Sequence, residues 1–188
     1  MKINIPNIKE IKKLSAKINK YTLRTPIIRC TSLEEKLNSE TEVFAKLEFL
    51  QQTGSFKYRA ALVALKSLSR DKLKNGVVAV SAGNHAIATA HAAKIVGTSA
   101  KVIMTPSANP SRIASCKSYG AEVTIAEDIH HAFKIAENLQ AKEDRFFVHP
   151  FEGPSVAFGT GIIGLEICEQ INNFDCLIIP VGGGGLIG

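Results

Sequence analysis

The chain has 188 residues with 45% hydrophobic content, enough to bury the core of one full domain or two small ones, which excludes a disordered or fibrous protein. A formal charge of +6 and a pI near 9.2 raise the question of a nucleic-acid partner, but the positive residues are spread along the chain rather than gathered in one stripe. Lysines interrupt every apolar stretch near the N-terminus and no run approaches the ~18 apolar residues of a membrane span, so the reading is a cytoplasmic protein with neither a membrane nor a nucleic-acid partner.

The crowding of Lys2, Lys9, Lys12, Lys13, Lys17 and Lys20 is the one exception to the even charge. Ile8, Ile11, Leu14 and Ile18 recur there at helical spacing, which predicts a surface helix with a solvated lysine face. After it, short β-rich runs alternate with longer helical ones, the pattern of a parallel sheet covered by helices. Strands are expected near 42–48, 77–80, 100–104, 121–125, 145–148 and 175–181, and helices near 57–69, 84–96, 110–118, 129–141 and 155–171. The run "FDCLIIPV" (174–181) is nearly all apolar, as a central strand buried on both faces would be. A buried strand followed by a glycine-rich turn normally feeds a helix, so the "PVGGGGLIG" ending reads as an interrupted domain. Cys30, Cys116, Cys168 and Cys176 have no C-x-x-C spacing and fall in apolar-patterned segments, so they are expected to be reduced core thiols rather than metal ligands.

Three stretches could carry chemistry. In "QQTGSFKYRAA" (51–61), Lys57 heads a helix on which positions 57, 61, 65 and 68 share one face. Ala61, Leu65 and Leu68 make that face apolar, while Arg59, Lys66 and Arg70 are assigned to the opposite side. Lys57 is therefore expected to point inward, where burial lowers an amine's pKa and leaves a nucleophilic neutral fraction. Snorkelling outward from the first turn is the alternative. In "SAGNHA" (81–86), Asn84 suits a helix N-cap and Gly83 a tight turn, yet the same backbone amides form a receptor for a carboxylate. His85 is open to a core or capping role. In "GGGG" (182–185), amides unobstructed by side chains could wrap a phosphate, or the glycines could be a flexible tail. A competing pattern, G-x-G-x-x-G, is matched by Gly183, Gly185 and Gly188 and by Gly159, Gly161 and Gly164. The first match ends at the last residue and the second lacks a preceding strand, so a dinucleotide-dependent oxidoreductase is the weaker reading.

Together and in this order, "KLEFLQQTGSFKYRAA", "SAGNHA" and "PVGGGGLIG" resemble the cofactor-lysine motif, substrate-carboxylate loop and phosphate cradle of the fold-type II pyridoxal-phosphate enzymes, the threonine dehydratase and serine racemase family. "RTP" at 24–26, "HPF" at 149–151 and "GLEI" at 164–167 also match. The resemblance implies a two-domain α/β fold with open, mostly parallel twisted sheets and flanking helices. A large cofactor unit would comprise 1–76 plus 149–188, and a smaller substrate-loop unit 77–148. It implies that Lys57 carries pyridoxal 5'-phosphate as a Schiff base and moves the Cα proton, and that Phe56 packs on the cofactor ring. Asn84 would bond the cofactor's phenolic oxygen, Ser81, Ala82, Gly83, Asn84 and His85 would hold the substrate carboxylate, and Gly182, Gly183, Gly184 and Gly185 the phosphate. The implied activity is loss of water from L-threonine or L-serine to give a 2-keto acid and ammonia, in a homo-oligomer. Ala82 stands where racemases of this family carry a serine, which disfavours a two-base racemisation. "KYRAA" and "FEGP" (151–154) depart from the family pattern and leave the substrate open, and the family's partner for the pyridine nitrogen and its metal-site residues have no counterpart within the 188 residues. An inactive or partner-binding fragment is the alternative outside enzymology.

Overall fold

A computed structural model describes residues 6–37 and 40–188. Lys2 of the basic run therefore lies outside the described residues. The predicted first helix is α1 (Ile8–Ile18), capped by the Asn7 side chain, which accepts from the Glu10 amide. A small antiparallel ribbon follows, β1 (Ile27–Arg29) pairing with β2 (Phe44–Lys46), with α2 (Thr31–Leu37) between them. The strand expected at 42–48 is thus shorter, because two 3₁₀ turns at Glu48–Leu50 and Gln52–Gly54 take the chain out of it. Those turns deliver the chain to α3 (Lys57–Lys66). The helix expected over 57–69 stops at 66, because Ser69 caps a separate α4 (Arg70–Asn75) by accepting from the Lys72 amide.

Next come β3 (Val77–Val80), α5 (Asn84–Val96), β4 (Ala100–Met104), α6 (Pro110–Ser118), β5 (Glu122–Ile125), α7 (Ile129–Glu143), β6 (Phe146–Phe147) and α8 (Pro154–Gln170). The four strands β3 to β6 form a wholly parallel sheet in the order β5-β4-β3-β6. Val77 through Val80 are all buried, since β3 is central and covered on both faces. Val77 joins the main core with α3, α5 and α6, whereas Val78 and Val80 pack with Ala132 and Ala136 of α7. The main core runs from Ile18 through Tyr58, Leu62 and Ala92 to Ile162, and so links segments on either side of the sheet's first and last strands.

The strand order has a consequence for where a ligand could sit. The chain steps from β3 to β4 to β5 in one direction and then returns to place β6 on the other side of β3. The turn after β3 and the segment after β6 therefore lie side by side at the carboxyl ends of two adjacent strands, the usual binding position in open α/β sheets.

Three expectations are corrected. Residues 175–181 form no strand: they pair with nothing in the described residues and stay open, Ile178 being 89% exposed. An apolar run becomes a strand only where neighbouring strands take up its backbone groups, and none flanks this one. Of the cysteines only Cys116 is buried, with burial raising its thiol pKa to about 11; Cys168 and Cys176 are exposed and Cys30 is intermediate, because apolar neighbours in sequence do not oblige a given residue to face the core. Arg59, assigned outward, is fully buried, because acceptors remote in sequence satisfy it.

Candidate active site

Lys57 opens α3, and the backbone just before it is set by two successive left-handed residues, Thr53 (φ 65°) and Gly54 (φ 76°). That conformation costs a threonine energy which the surrounding fold must supply. Lys57 is half-buried, and burial lowers the pKa of its amine. Its Nζ donates to the Pro150 carbonyl at 2.7 Å and lies 5.0 Å from the centre of the Phe56 ring. No carboxylate holds it in an ion pair among the described residues. The helical spacing thus describes its direction correctly.

The second stretch meets the same segment. α5 begins at Asn84 with Gly83 as its N-cap, so Asn84 is not the cap expected of it; its side chain is exposed and the end has no side-chain cap. The local backbone explains this, since Ser81 Oγ already accepts from the Gly83 amide at 3.1 Å and makes the turn one residue earlier. His85 is buried, and its Nε2 lies 2.8 Å from the Val148 carbonyl. A carbonyl only accepts, so Nε2 carries the proton, and burial pushes the imidazole's pKa down to about 4. His85 is therefore a neutral core anchor for the turn. Ala82 and Gly83 are half-buried, and Arg112 of α6 reaches the Ala82 carbonyl at 3.4 Å.

The third stretch also converges here. An added Cβ on Gly183 would stand 2.6 Å from the Phe151 ring, and on Gly185 2.8 Å from the Phe151 Cα, so glycine is needed at both for the turn to lie on Phe151. At Gly182 and Gly184 an added Cβ would meet nothing within 4 Å. Gly184 has a φ of 81°, a left-handed conformation that glycine adopts at little cost. Residues 148–151 are accordingly the hub on which the turn 81–85, Lys57 and the glycine turn all rest. The hub is shaped by His149, whose Nδ1 accepts from the amides of Phe151 (3.3 Å) and Glu152 (2.8 Å).

Two features escaped the sequence reading. One is this hub, of which "HPF" was noted only for its resemblance. The other is a buried charge network: Arg59 donates to Glu48 and Glu166, while Lys46 donates to Glu166 (2.5 Å), to Gln170 (2.7 Å) and to the Thr25 carbonyl (2.7 Å). Its signal was Glu166 itself, the one acid in an otherwise apolar run from Val156 to Cys168. An acid so placed requires a buried partner.

The family model described as "Pyridoxal-phosphate dependent enzyme" matches residues 18–188. The chain belongs to the pyridoxal-phosphate dependent enzyme family. Among the family's curated relatives, a phenylserine dehydratase of Ralstonia pickettii is 42% identical over 183 residues, covering 97% of this chain and 56% of that protein. An L-threonine ammonia-lyase of Thermotoga maritima is 40% identical over 181 residues, covering 96% and 45%. Among solved structures, maize serine racemase superimposes with a TM-score of 0.91 at 31% identity, covering 97% of this chain and 55% of that one. The chain spans about half the length of the relatives it matches. Its fold is that of the fold-type II enzymes of this family.

The residues present fit the family's cofactor. A primary amine with lowered pKa and no acid partner is the group an aldehyde requires. The glycine turn leaves open space at Gly182 and Gly184 where side chains would otherwise project. The G-x-G-x-x-G match at Gly159, Gly161 and Gly164 lies inside α8 and is no strand-to-helix turn. Two of its glycines serve packing instead: Cβ on Gly159 would stand 2.4 Å from the Ala60 Cα, and on Gly161 2.9 Å from Ile11 Cδ1, while Gly164 is exposed.

Proposed function

We propose that the protein is a pyridoxal-phosphate-dependent dehydratase that removes water from a β-hydroxy amino acid, L-threonine or L-serine, and yields a 2-keto acid and ammonia. The observation that carries this reading is the placement of Lys57: half-buried, with its amine held by the Pro150 carbonyl beside the residue on which the glycine turn rests. When bound, the cofactor serves as an electron sink for the substrate's Cα. Lys57 provides the amine that attaches it and afterwards a base for the Cα proton, and burial shifts that amine toward its neutral form. Ser81 Oγ accepts from the Gly83 amide and keeps its own O–H to donate to the substrate carboxylate, together with the amides of Ala82, Asn84 and His85 at the positive end of α5. Asn84, exposed at the first turn of α5, would donate to the cofactor's ring oxygen, and Phe56 would flank the ring. The amides of Gly182 to Gly185 would hold its phosphate.

In this reading residues 77–148 act as the substrate-loop unit and 1–76 with 149–188 as the cofactor unit. Relatives named for phenylserine and threonine favour a dehydratase, while solved serine racemases favour the second reading, racemisation. Ala82 weighs against the latter, since a methyl group cannot serve as a second proton carrier.

The test is borohydride reduction of the protein with pyridoxal phosphate followed by peptide mapping, and then ammonia release from L-threonine, L-serine and 3-phenylserine. Cofactor attached to Lys57 with ammonia as product supports the proposal. Attachment at another lysine, or D-amino acid formed faster than ammonia, overturns it.

A further inference from the structure

Arg59 is fully buried two residues after Lys57, and its guanidinium makes two forked contacts. Nε and Nη2 donate to Glu48 (2.9 and 2.8 Å), Nη1 and Nη2 to Glu166 (2.7 and 3.0 Å), and Nη2 also to the Leu23 carbonyl at 3.0 Å. Lys46 completes the cluster on Glu166, and Thr25 donates its hydroxyl to Glu48 at 2.5 Å. Two cations thus face two carboxylates, so the cluster closes without net charge. The next residue, Ala60, meets α8 so closely at Gly159 that no Cβ fits between them. Gly159 and Glu166 are seven residues apart on α8 and share one face. The first turn of α3 is therefore fastened to α8 twice, by a bidentate ion pair and by a steric notch, directly after the lysine. α8 itself begins at Pro154, immediately beyond the 148–153 segment that carries Pro150.

On this geometry, and resting on the proposed role of Lys57, we infer that Arg59 is a positioning residue: its fork between Glu48 and Glu166 fixes where the Lys57 amine stands relative to the Pro150 carbonyl. Charge alone does not suffice for this. A lysine at 59 would keep the charge, but a single ammonium cannot bridge two carboxylates in parallel pairs as the planar guanidinium does.

The test compares the parent, Arg59→Lys, and Ile103→Ala, a truncation in the second buried cluster, which holds no residue of α3 or α8. Three quantities are measured on each: the fraction of Lys57 trapped by borohydride at limiting pyridoxal phosphate, the acetylation rate of Lys57 relative to exposed Lys134 without cofactor, and the melting temperature. A displaced amine should lower trapping by about tenfold and alter the acetylation ratio by about threefold or more in Arg59→Lys. Ile103→Ala should lose melting temperature while keeping both Lys57 readouts. The inference is overturned if Arg59→Lys retains the parental acetylation ratio, or if both variants change it alike. Absence of an adduct at Lys57 in the parent would reject the proposed function instead, and the acetylation ratio alone then decides the role of Arg59. If Arg59→Lys does not fold, Glu48→Gln, which leaves the fork on Glu166 intact, is judged by the same acetylation ratio: a change supports the inference and a parental value overturns it.

Discussion

His85 holds the Val148 carbonyl through a 2.8 Å hydrogen bond from Nε2, and this one contact ties the turn after β3 to the segment after β6. Because burial lowers the imidazole's pKa from 6.5 to about 4, the unfolded chain takes up a proton between those values while the folded chain does not. Stability is therefore full above pH 6.5 and falls on acidification toward pH 4, by up to about 3 kcal/mol from this residue. Denaturant titrations at a series of pH values should show the loss, and His85→Gln should flatten the profile in that window. A variant profile that still parallels the parent's would assign the acid sensitivity elsewhere.

The glycines of α8 divide by what surrounds them. Gly159→Ala would drive a methyl group into the α3 backbone at Ala60 and should destabilise by about 1–3 kcal/mol. Gly164 is exposed, with nothing within 4 Å of an added Cβ, so Gly164→Ala should stabilise by about 0.5–1 kcal/mol through helix propensity. Thermal melts of the two proteins check the pair; equal shifts would contradict the notch.

Much of this was legible in the residues, and the failures share a cause. Positions 57, 61, 65 and 68 placed Lys57 inward because the helix period is a local property. The same reasoning put Arg59 outside because its partner Glu166 lies 107 residues away, where periodicity has no reach. The run 175–181 has the composition of a buried strand, but pairing depends on neighbours and not on the segment. Gly159, Gly161 and Gly164 have the spacing of a nucleotide turn but lie inside α8, the first against α3, the second against α1 and the third in the open. The convergence on 148–151 required knowing that β6 lies beside β3, which only the assembled sheet reveals.

The glycine turn should separate binding from folding. Gly182→Ala places its methyl in open space, so the melting temperature should hold while affinity for pyridoxal phosphate drops about tenfold if, as proposed, the phosphate occupies that space. Gly185→Ala meets the Phe151 backbone and should lower stability and affinity together. Titration by cofactor absorbance beside a melting curve resolves the two. Unchanged affinity in Gly182→Ala would remove this turn from the phosphate site.

If Ala82 limits racemisation, Ala82→Ser should raise the ratio of D-serine formed to ammonia released by about tenfold from L-serine, with elimination retained. Chiral chromatography and an ammonia assay on one reaction give both values. No change in the ratio would mean that the second face of the substrate is served from elsewhere.

The bond between Lys57 and Pro150 spans 93 residues of chain. At ribosomal rates of roughly 5–20 residues per second, the amine emerges about 5 to 20 s before the carbonyl that will receive it. During that interval the lysine has no Pro150 carbonyl to hold it, and any free aldehyde in the cell meets it as an ordinary amine on a nascent chain. With Lys57 as the proposed attachment point, cofactor loading would be a late event in the protein's biogenesis, gated by synthesis of the segment that follows β6, and a ribosome stalled before residue 150 would display a nascent chain unable to distinguish Lys57 from its sixteen other lysines.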